Sequence, residues 1–523
     1  MRELRKTDKV KILFVRPPER LWPIINESDN FLLPLTFPTL AAYIRREIPN
    51  LEIKIIDCLA NRIGWKSLEK ILAEEKPDIF CAGEQTIYMH ESMRAAEIIR
   101  RVSPDTVIIT GGYFHSFMVD YTFEHFPFVD YIVRFEGEVT FTELVKTLMD
   151  GGDVSKVKGI AYSDSGKVVK TEIRPVISDL NTLPMPAYDL MPVEKYSPFG
   201  LLWPNAITIE SNRGCVYNCD FCSWAAMQNQ SEMVDGKLTT QPRFRIKDPD
   251  VVLEQIDYLY NERGVRYLFW VDGTWNASHE WLDEFCTKLI KRNYKLGWWA
   301  FIRPSLMLEQ EELGILEKMV KAGLRHCLFG GERGEEKEFD TIKKQADPSD
   351  LIKVTEILKK KYPQVFRQST FLVGIPGETK ESIKQLGHYT RKAVDVDFAA
   401  YHPLMPYPGT GLWETMQDGP SLEVKDFAKY DMFYPVFRTE ELSREEISKQ
   451  ISNLYLAFIL RQPWRYVARM FSPHKIRRRL HWWFAFSNTR VFIRDIFLAI
   501  VGKKKFSGFG GVNELWKPSW YNK

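Results

Sequence analysis

Short apolar runs alternate with amphipathic stretches along most of this chain. In the first 150 residues the runs are Val10–Val15 (VKILFV), Glu52–Asp57 (EIKIID), Asp78–Ala82 (DIFCA), Thr106–Thr110 and Tyr131–Phe135. Between them, residues 40–46, 67–75 and 92–102 repeat their apolar positions at helical spacing. Compact strands separated by helices predict a parallel, doubly wound α/β sheet. Such sheets bind ligands beyond the carboxyl ends of their strands. Those ends read Pro17-Pro18-Glu19, Gly83-Glu84-Gln85-Thr86, Gly111-Gly112-Tyr113 and Glu136-Gly137-Glu138. Glycine there either admits a ligand close to the backbone or closes a tight turn, and the pattern alone does not choose.

Residues 151–200 form a connector. It holds a hairpin (159–163 and 167–171, turning at Asp164-Ser165-Gly166) and then a proline-rich stretch from Leu183 to Pro192. From 201 to 420 the alternation resumes. Strands are expected just before Ser211, at Tyr267–Val271, Trp298–Ile302, His326–Phe329 and Thr370–Val373, and at Phe398–His402, with helices at 249–262 and 311–322. Six strand–helix units predict a partial (β/α)6 barrel with its site at the carboxyl ends. The polar stretch 225–241 interrupts it as an irregular insertion, a lid or substrate loop. Residues 421–523 lose the alternation and read as a mainly helical region.

Composition places the chain among ordinary folded proteins: 523 residues, 45% hydrophobic, 27% charged, net charge +3. Seven cysteines in this length are not a secreted disulfide framework. The apolar run near the N-terminus is too short for a signal peptide, and no stretch is apolar enough to span a bilayer. The expected location is the cytoplasm, with a peripheral position at the inner membrane surface kept open by the C-terminal region.

Candidate chemistry concentrates in Ser211–Trp224 (SNRGCVYNCDFCSW). Cys215, Cys219 and Cys222 fall within eight residues. Three thiols make an uneven disulfide set, and a structural zinc site needs a fourth ligand that is not nearby. Three thiolates can hold three irons of a four-iron cluster and leave the fourth open. Buried core cysteines are the bland alternative, but Gly214, Asn218 and Asp220 are poor core neighbours. Cys58, Cys81, Cys286 and Cys327 have apolar surroundings and read as core.

This spacing, with Phe221 ahead of the last cysteine, resembles the signature of the radical S-adenosylmethionine (SAM) superfamily. The resemblance extends through 201–420 and implies a [4Fe-4S] cluster on Cys215, Cys219 and Cys222 whose open iron chelates SAM. It implies cleavage of SAM to a 5′-deoxyadenosyl radical that abstracts hydrogen from an unactivated carbon. It places Asp272, Gly273 and Thr274 at the SAM amino group, and Arg303 and Glu332 where ribose and carboxylate contacts are usual. Gly374, Ile375 and Gly377 fall in the glycine-rich turn beside adenine. An electron donor such as flavodoxin or ferredoxin is implied. Each position also has a plain structural reading: a helix cap for Asp272, ion pairs for Arg303 and Glu332, a tight turn for the glycines.

The first 145 residues resemble the cobalamin-binding domain upstream of many radical SAM modules. The likeness rests on Arg16-Pro17-Pro18, Leu33-Pro34-Leu35, Thr110-Gly111-Gly112 and Glu136-Gly137-Glu138. It implies cobalamin held beside Gly111, Gly112 and Gly137. The stretch after the first strand, RPPERLWPIINESDN, has no histidine, so the motif that ligates cobalt from below in other cobalamin domains is missing. Either cobalamin is held without it, or the domain is a relic. Together the two resemblances imply cobalamin-dependent methylation of an unactivated carbon in a hydrophobic or small-molecule substrate. A cyclase or carbon–carbon bond-forming enzyme of the same architecture is the alternative. Tyr113, His115, Tyr401 and His402 are candidate polar groups at the domain interface.

Residues 461–505 carry twelve lysines and arginines against Asp495 alone, a balance of +11 that leaves −8 for the rest of the chain. Trp464, Phe471, Trp482, Trp483, Phe486 and Phe497 interleave with them. This mixture suits an anionic membrane surface or a helix packed on the barrel, and suits nucleic acid less well.

Overall fold

The computed structural model describes residue 4 and residues 9–22, 32–83, 86–197, 205–234, 237–502 and 515–523. Glu84 and Gln85, part of the loop after the first strand, Lys503 to Lys505 and the Gly508 to Gly511 turn lie outside the described residues.

The first sheet is built from β1 (Val10–Arg16), β2 (Leu51–Asp57), β3 (Ile79–Ala82), β4 (Val107–Thr110) and β5 (Tyr131–Val133). These five are parallel, in the order β2-β1-β3-β4-β5. Helices α1 (Thr36–Glu47), α2 (Trp65–Glu75), α3 (Met89–Val102), α4 (Gly112–Phe117) and α5 (Gly137–Met149) follow the strands. The hairpin expected in the connector forms, as β6 (Ile160–Asp164) and β7 (Lys167–Lys170), but it adds antiparallel to the edge of this sheet through β5. It covers a strand edge that would otherwise stay unpaired.

The second sheet contains β8 (Ala206–Ile209) and, beyond a β9–β10 hairpin (Gln230–Val234 and Lys237–Gln241), five more strands. These are β11 (Tyr267–Trp270), β12 (Gly297–Ile302), β13 (Leu324–Glu332), β14 (Phe366–Val373) and β15 (Phe398–Pro403). All six are parallel, in the order β15-β14-β13-β12-β11-β8, with helices between them as the alternation predicts. Three expectations are corrected. The insertion at 225–241 is not irregular: α6 (Ser223–Gln228) leads into the β9–β10 hairpin, whose largely polar strands lack a period-two signal. The helix expected at 311–322 is broken by Gly314, which takes φ +72° between Pro304–Glu312 and Ile315–Ala322. Strand β14 begins four residues early because Arg367 is buried against Asp397 rather than exposed in a loop.

One buried apolar cluster runs from Val10, Ile12 and Phe14 through Tyr188 and Tyr196 of the connector to Ile207, Leu268 and Trp298. Gln255 donates to the Tyr188 hydroxyl, and the Tyr196 hydroxyl donates to Asp57 at 2.5 Å. The connector thus welds the two sheets into one body. Helix Arg444–Leu460 packs against β15, where the Tyr455 hydroxyl accepts from the Tyr401 amide. After Pro463–Met470, the long helix Lys475–Ile500 sets Leu480, Trp483 and Phe484 on the sheet face that carries Tyr267, Phe269, Phe366 and Phe398. The tail returns to the first sheet, where Trp516 pairs with Leu21 and Tyr521 meets the Trp65 ring.

Candidate active site

The cysteine loop leaves β8 and is fastened before it reaches its first thiol. Asp272, buried at the end of β11, accepts at Oδ1 from the Ser211 and Asn212 amides and the Ser211 hydroxyl. Its Oδ2 is buried without a partner, and burial raises its carboxyl to about 7. Gly214 turns with φ +79°, and a Cβ there would run into the Arg243 carbonyl. Asn229 Oδ1 accepts from the Cys215 amide (2.9 Å) and the Arg243 amide (3.1 Å). Further on, the Asp220 amide donates to the Ile342 carbonyl, and the Asp220 carbonyl accepts from the Leu412 amide.

The three cysteines are free thiols. Cys215 Sγ lies 3.6 Å from Thr274 Oγ1 and accepts from the Tyr217 amide. Burial raises the Cys219 thiol, while Lys344 and Arg303 pull the other way. Burial, and then the charge of Cys219, pushes Cys222 up to about 12. Among the described residues no group of three or more His, Cys, Asp or Glu side chains is set to hold a single metal ion. Three soft donors on one loop fit an iron–sulfur cluster, whose cationic irons stabilise the thiolate form.

Arg303 and Glu332 come to the same place. The Arg303 guanidinium lies over the Tyr217 ring, 3.4 Å from its centre, and its buried Nε has no partner. Glu332 sits at the end of β13 with φ +45° and pairs with Lys344 at 2.9 Å. Both act on Cys219 electrostatically. Gly273 faces Trp224, whose ring a Cβ would meet at 2.8 Å. The Gly374–Gly377 turn stands apart. Its Gly374 amide donates to Glu378, Ile375 is in the core, and Gly377 (φ +73°) has open space around it. Its polar contacts do not run to the cysteine loop.

The first sheet faces this loop with its strand ends. Tyr113, just past Gly111 and Gly112, donates its hydroxyl to the Pro408 carbonyl at 2.6 Å. Burial raises its phenol, and the nearby Cys222 adds to the shift. A Cβ on Gly409 would strike Phe117. The glycines have protein neighbours of their own: a Cβ on Gly111 would meet the Val133 carbonyl at 2.9 Å, and one on Gly137 the Leu40 side chain at 3.0 Å. Beyond β3, the Thr86 and Ser92 hydroxyls are buried with no partner. Buried hydroxyls left unpaired beyond a strand end have hydrogen bonds to give a polar ligand such as cobalamin.

Between the domains lies an ion cluster that the spacing did not announce. Arg213 contacts Glu138 (2.6 Å), Glu136 (3.4 Å) and Glu210 (3.0 Å). Arg245 reaches Glu136 at 2.7 Å. Tyr217, Asn229 and Lys344 were likewise missed. Their partners lie far off in sequence, and only the proximity of Arg213, Tyr217 and Asn229 to the cysteines hinted at them. Three interface candidates are corrected. His115 bonds to Thr122 inside the first domain, and burial drops it to about 3. The Tyr401 hydroxyl donates to Thr390. His402 bonds to the Met432 carbonyl, and burial lowers it to about 4. All three are buried in the core, with His115 Nε2 left without a partner. Cys58, Cys81, Cys286 and Cys327 are buried, as expected.

Residues 209–389 match the model of the radical SAM superfamily, and residues 21–145 that of the B12 binding domain. An uncharacterized methyltransferase, PH0819, from Pyrococcus horikoshii is 28% identical over 86% of this chain and 93% of its own. The anaerobic magnesium-protoporphyrin IX monomethyl ester cyclase of Rubrivivax gelatinosus is 27% identical over 89% of this chain and 79% of its own. Among solved structures, the radical SAM methyltransferase TsrM of Kitasatospora setae, with cobalamin and a [4Fe-4S] cluster bound, superposes with a TM-score of 0.67. It covers 92% of this chain and 100% of that one at 17% identity, which is a likeness of fold.

Proposed function

The chain is a radical SAM enzyme with a B12-binding domain, and we propose that it methylates an unactivated carbon of a hydrophobic or small-molecule substrate. One observation carries the reading. The strand ends of both sheets converge on the cysteine loop, joined by Tyr113 to Pro408 on one side and Glu138 to Arg213 on the other. A substrate between them would be shared by both cofactor sites.

When bound, the iron–sulfur cluster and SAM supply a carbon-centred radical, and cobalamin supplies a methyl group. The protein's part is to hold and exclude. Cys215, Cys219 and Cys222 hold the cluster. Thr274, Arg303 and Glu332, gathered around it, hold SAM, with Gly273 leaving room beside Trp224. Asp272 fastens the loop through Oδ1 and presents Oδ2. The Gly374-Ile375-Gly377 turn is proposed for the adenine side. Gly111, Gly112 and Gly137, with the Thr86 and Ser92 hydroxyls, receive cobalamin. The Tyr113 and Phe117 rings wall the interface against water. A low-potential protein such as flavodoxin or ferredoxin serves as reductant.

Protein prepared without oxygen is expected to hold about four irons and about one cobalamin per chain. A preparation given excess cobalamin that retains none sinks the proposal. The cyclase relative favours a second reading, ring or carbon–carbon bond formation without methylation. Product mass separates the two, since only methylation adds a methylene.

A further inference from the structure

The C-terminal helices are sorted in an unexpected way. Several of their cations turn inward. Arg465 and Arg469 pair with Asp395, and Arg477 with Asp397 at 2.6 Å, at the amino end of β15. Leu480 and Phe484 turn inward too, against Phe366 and Phe398. What remains exposed among the described residues of the long helix Lys475–Ile500 is Lys475, Thr489 and a larger apolar set. At about 100° per residue, Trp482, Phe486, Ile493, Phe497 and Ile500 fall within an arc of about 60°. Their exposure runs from 49% at Trp482 to 78% at Ile500. The preceding helix, Pro463–Met470, and the turn after it add Trp464, Val467 and Phe471, all exposed. Phe471 meets Trp482 edge-on at 6.3 Å, which joins the two faces into one.

Contiguous apolar surface of this kind marks an interaction site. Its charge says with what. Arg461 and Lys475 are exposed, and Arg478 and Arg490 stand half-buried beside the stripe. From 461 to 502 the sequence holds one acidic residue, Asp495. A second copy docked about a two-fold axis would set these cations against themselves. No described helix is long and apolar enough to cross a membrane, and the inner face of the long helix is already packed.

We propose that this face lies flat in the headgroup zone of an anionic lipid bilayer. The aromatic and aliphatic side chains enter the acyl boundary, and the flanking arginines and lysines meet lipid phosphates. This surface is separate from the cysteine site, and the proposal holds whatever reaction that site performs.

The test is sedimentation of the purified full chain with vesicles of phosphatidylglycerol and phosphatidylcholine, and with phosphatidylcholine alone. Binding is expected to be at least about tenfold tighter to the anionic vesicles and to weaken with salt. A Phe486→Ser/Phe497→Ser variant is expected to lose about tenfold in that binding at an unchanged thermal midpoint. Tryptophan emission of the unaltered protein should be quenched by brominated phosphatidylglycerol, which keeps the test independent of the variant's folding. Absence of both vesicle binding and quenching overturns the proposal. So does equal affinity for the two vesicle types, or a dimer that the double substitution abolishes while vesicle binding persists.

Discussion

At Gly214 the backbone turns left-handed against the Arg243 carbonyl, one residue before the first thiol. Gly214→Ala is expected to cost about 1–3 kcal/mol in backbone strain alone, and more from the contact. It should also lower iron per chain, because the Cys215 amide can no longer reach Asn229. Replacing Cys215, Cys219 or Cys222 by alanine should remove most of the iron and all activity, read by iron and sulfide assay; full iron retention would contradict their assignment. At this scale the cysteines were legible because three thiols in eight residues have few other uses. Asp272 was legible as a position but not in its role, since nothing local shows that its Oδ1 fastens a loop about sixty residues earlier. Lys344 was invisible because its partner Glu332 lies on another element.

At the scale of elements, Asp397 ties the C-terminal helices to β15. Burial alone would raise its carboxyl, but Arg367, Arg469 and Arg477 hold it well below the usual range. A carboxyl depressed on folding lends stability that is complete above its unfolded value, near pH 4, and lost as pH falls below it. The thermal midpoint should therefore begin to drop near about pH 5 and keep falling as the pH is taken to about 3 and below. Asp397→Asn leaves buried Arg367 and half-buried Arg469 and Arg477 facing an uncharged group and should cost about 3–5 kcal/mol at neutral pH. Its midpoint should also fall less steeply in acid; an unchanged acid limb would contradict the assignment. Strand–helix alternation was legible because apolar runs of four to six residues are what a parallel sheet buries. The early start of β14 was not, because Arg367-Gln368-Ser369 looks like a loop until Asp397 is placed beside it. The direction of the C-terminal cations was hidden for the same reason: periodicity gives the faces of a helix, not which face an acidic partner will claim.

For the whole molecule, Arg213 joins the domains through Glu136 and Glu138, with Glu210 of its own segment as a third partner. Arg213→Ala should cost about 3–5 kcal/mol by stranding buried carboxylates. It should also uncouple SAM cleavage from product formation, raising the ratio of SAM consumed to product made; an unchanged ratio would reduce Arg213 to a stabilising role. The order of the two domains was legible, but their mutual placement was not, because it depends on contacts such as Tyr113 to Pro408, 295 residues apart. The most direct measurement is anaerobic incubation of the cluster-loaded, cobalamin-loaded protein with methyl-labelled SAM, a reductant and a lipid and metabolite extract. Methyl transfer predicts a product heavier by one methylene that carries the label. SAM consumption with no labelled product other than methionine would contradict it.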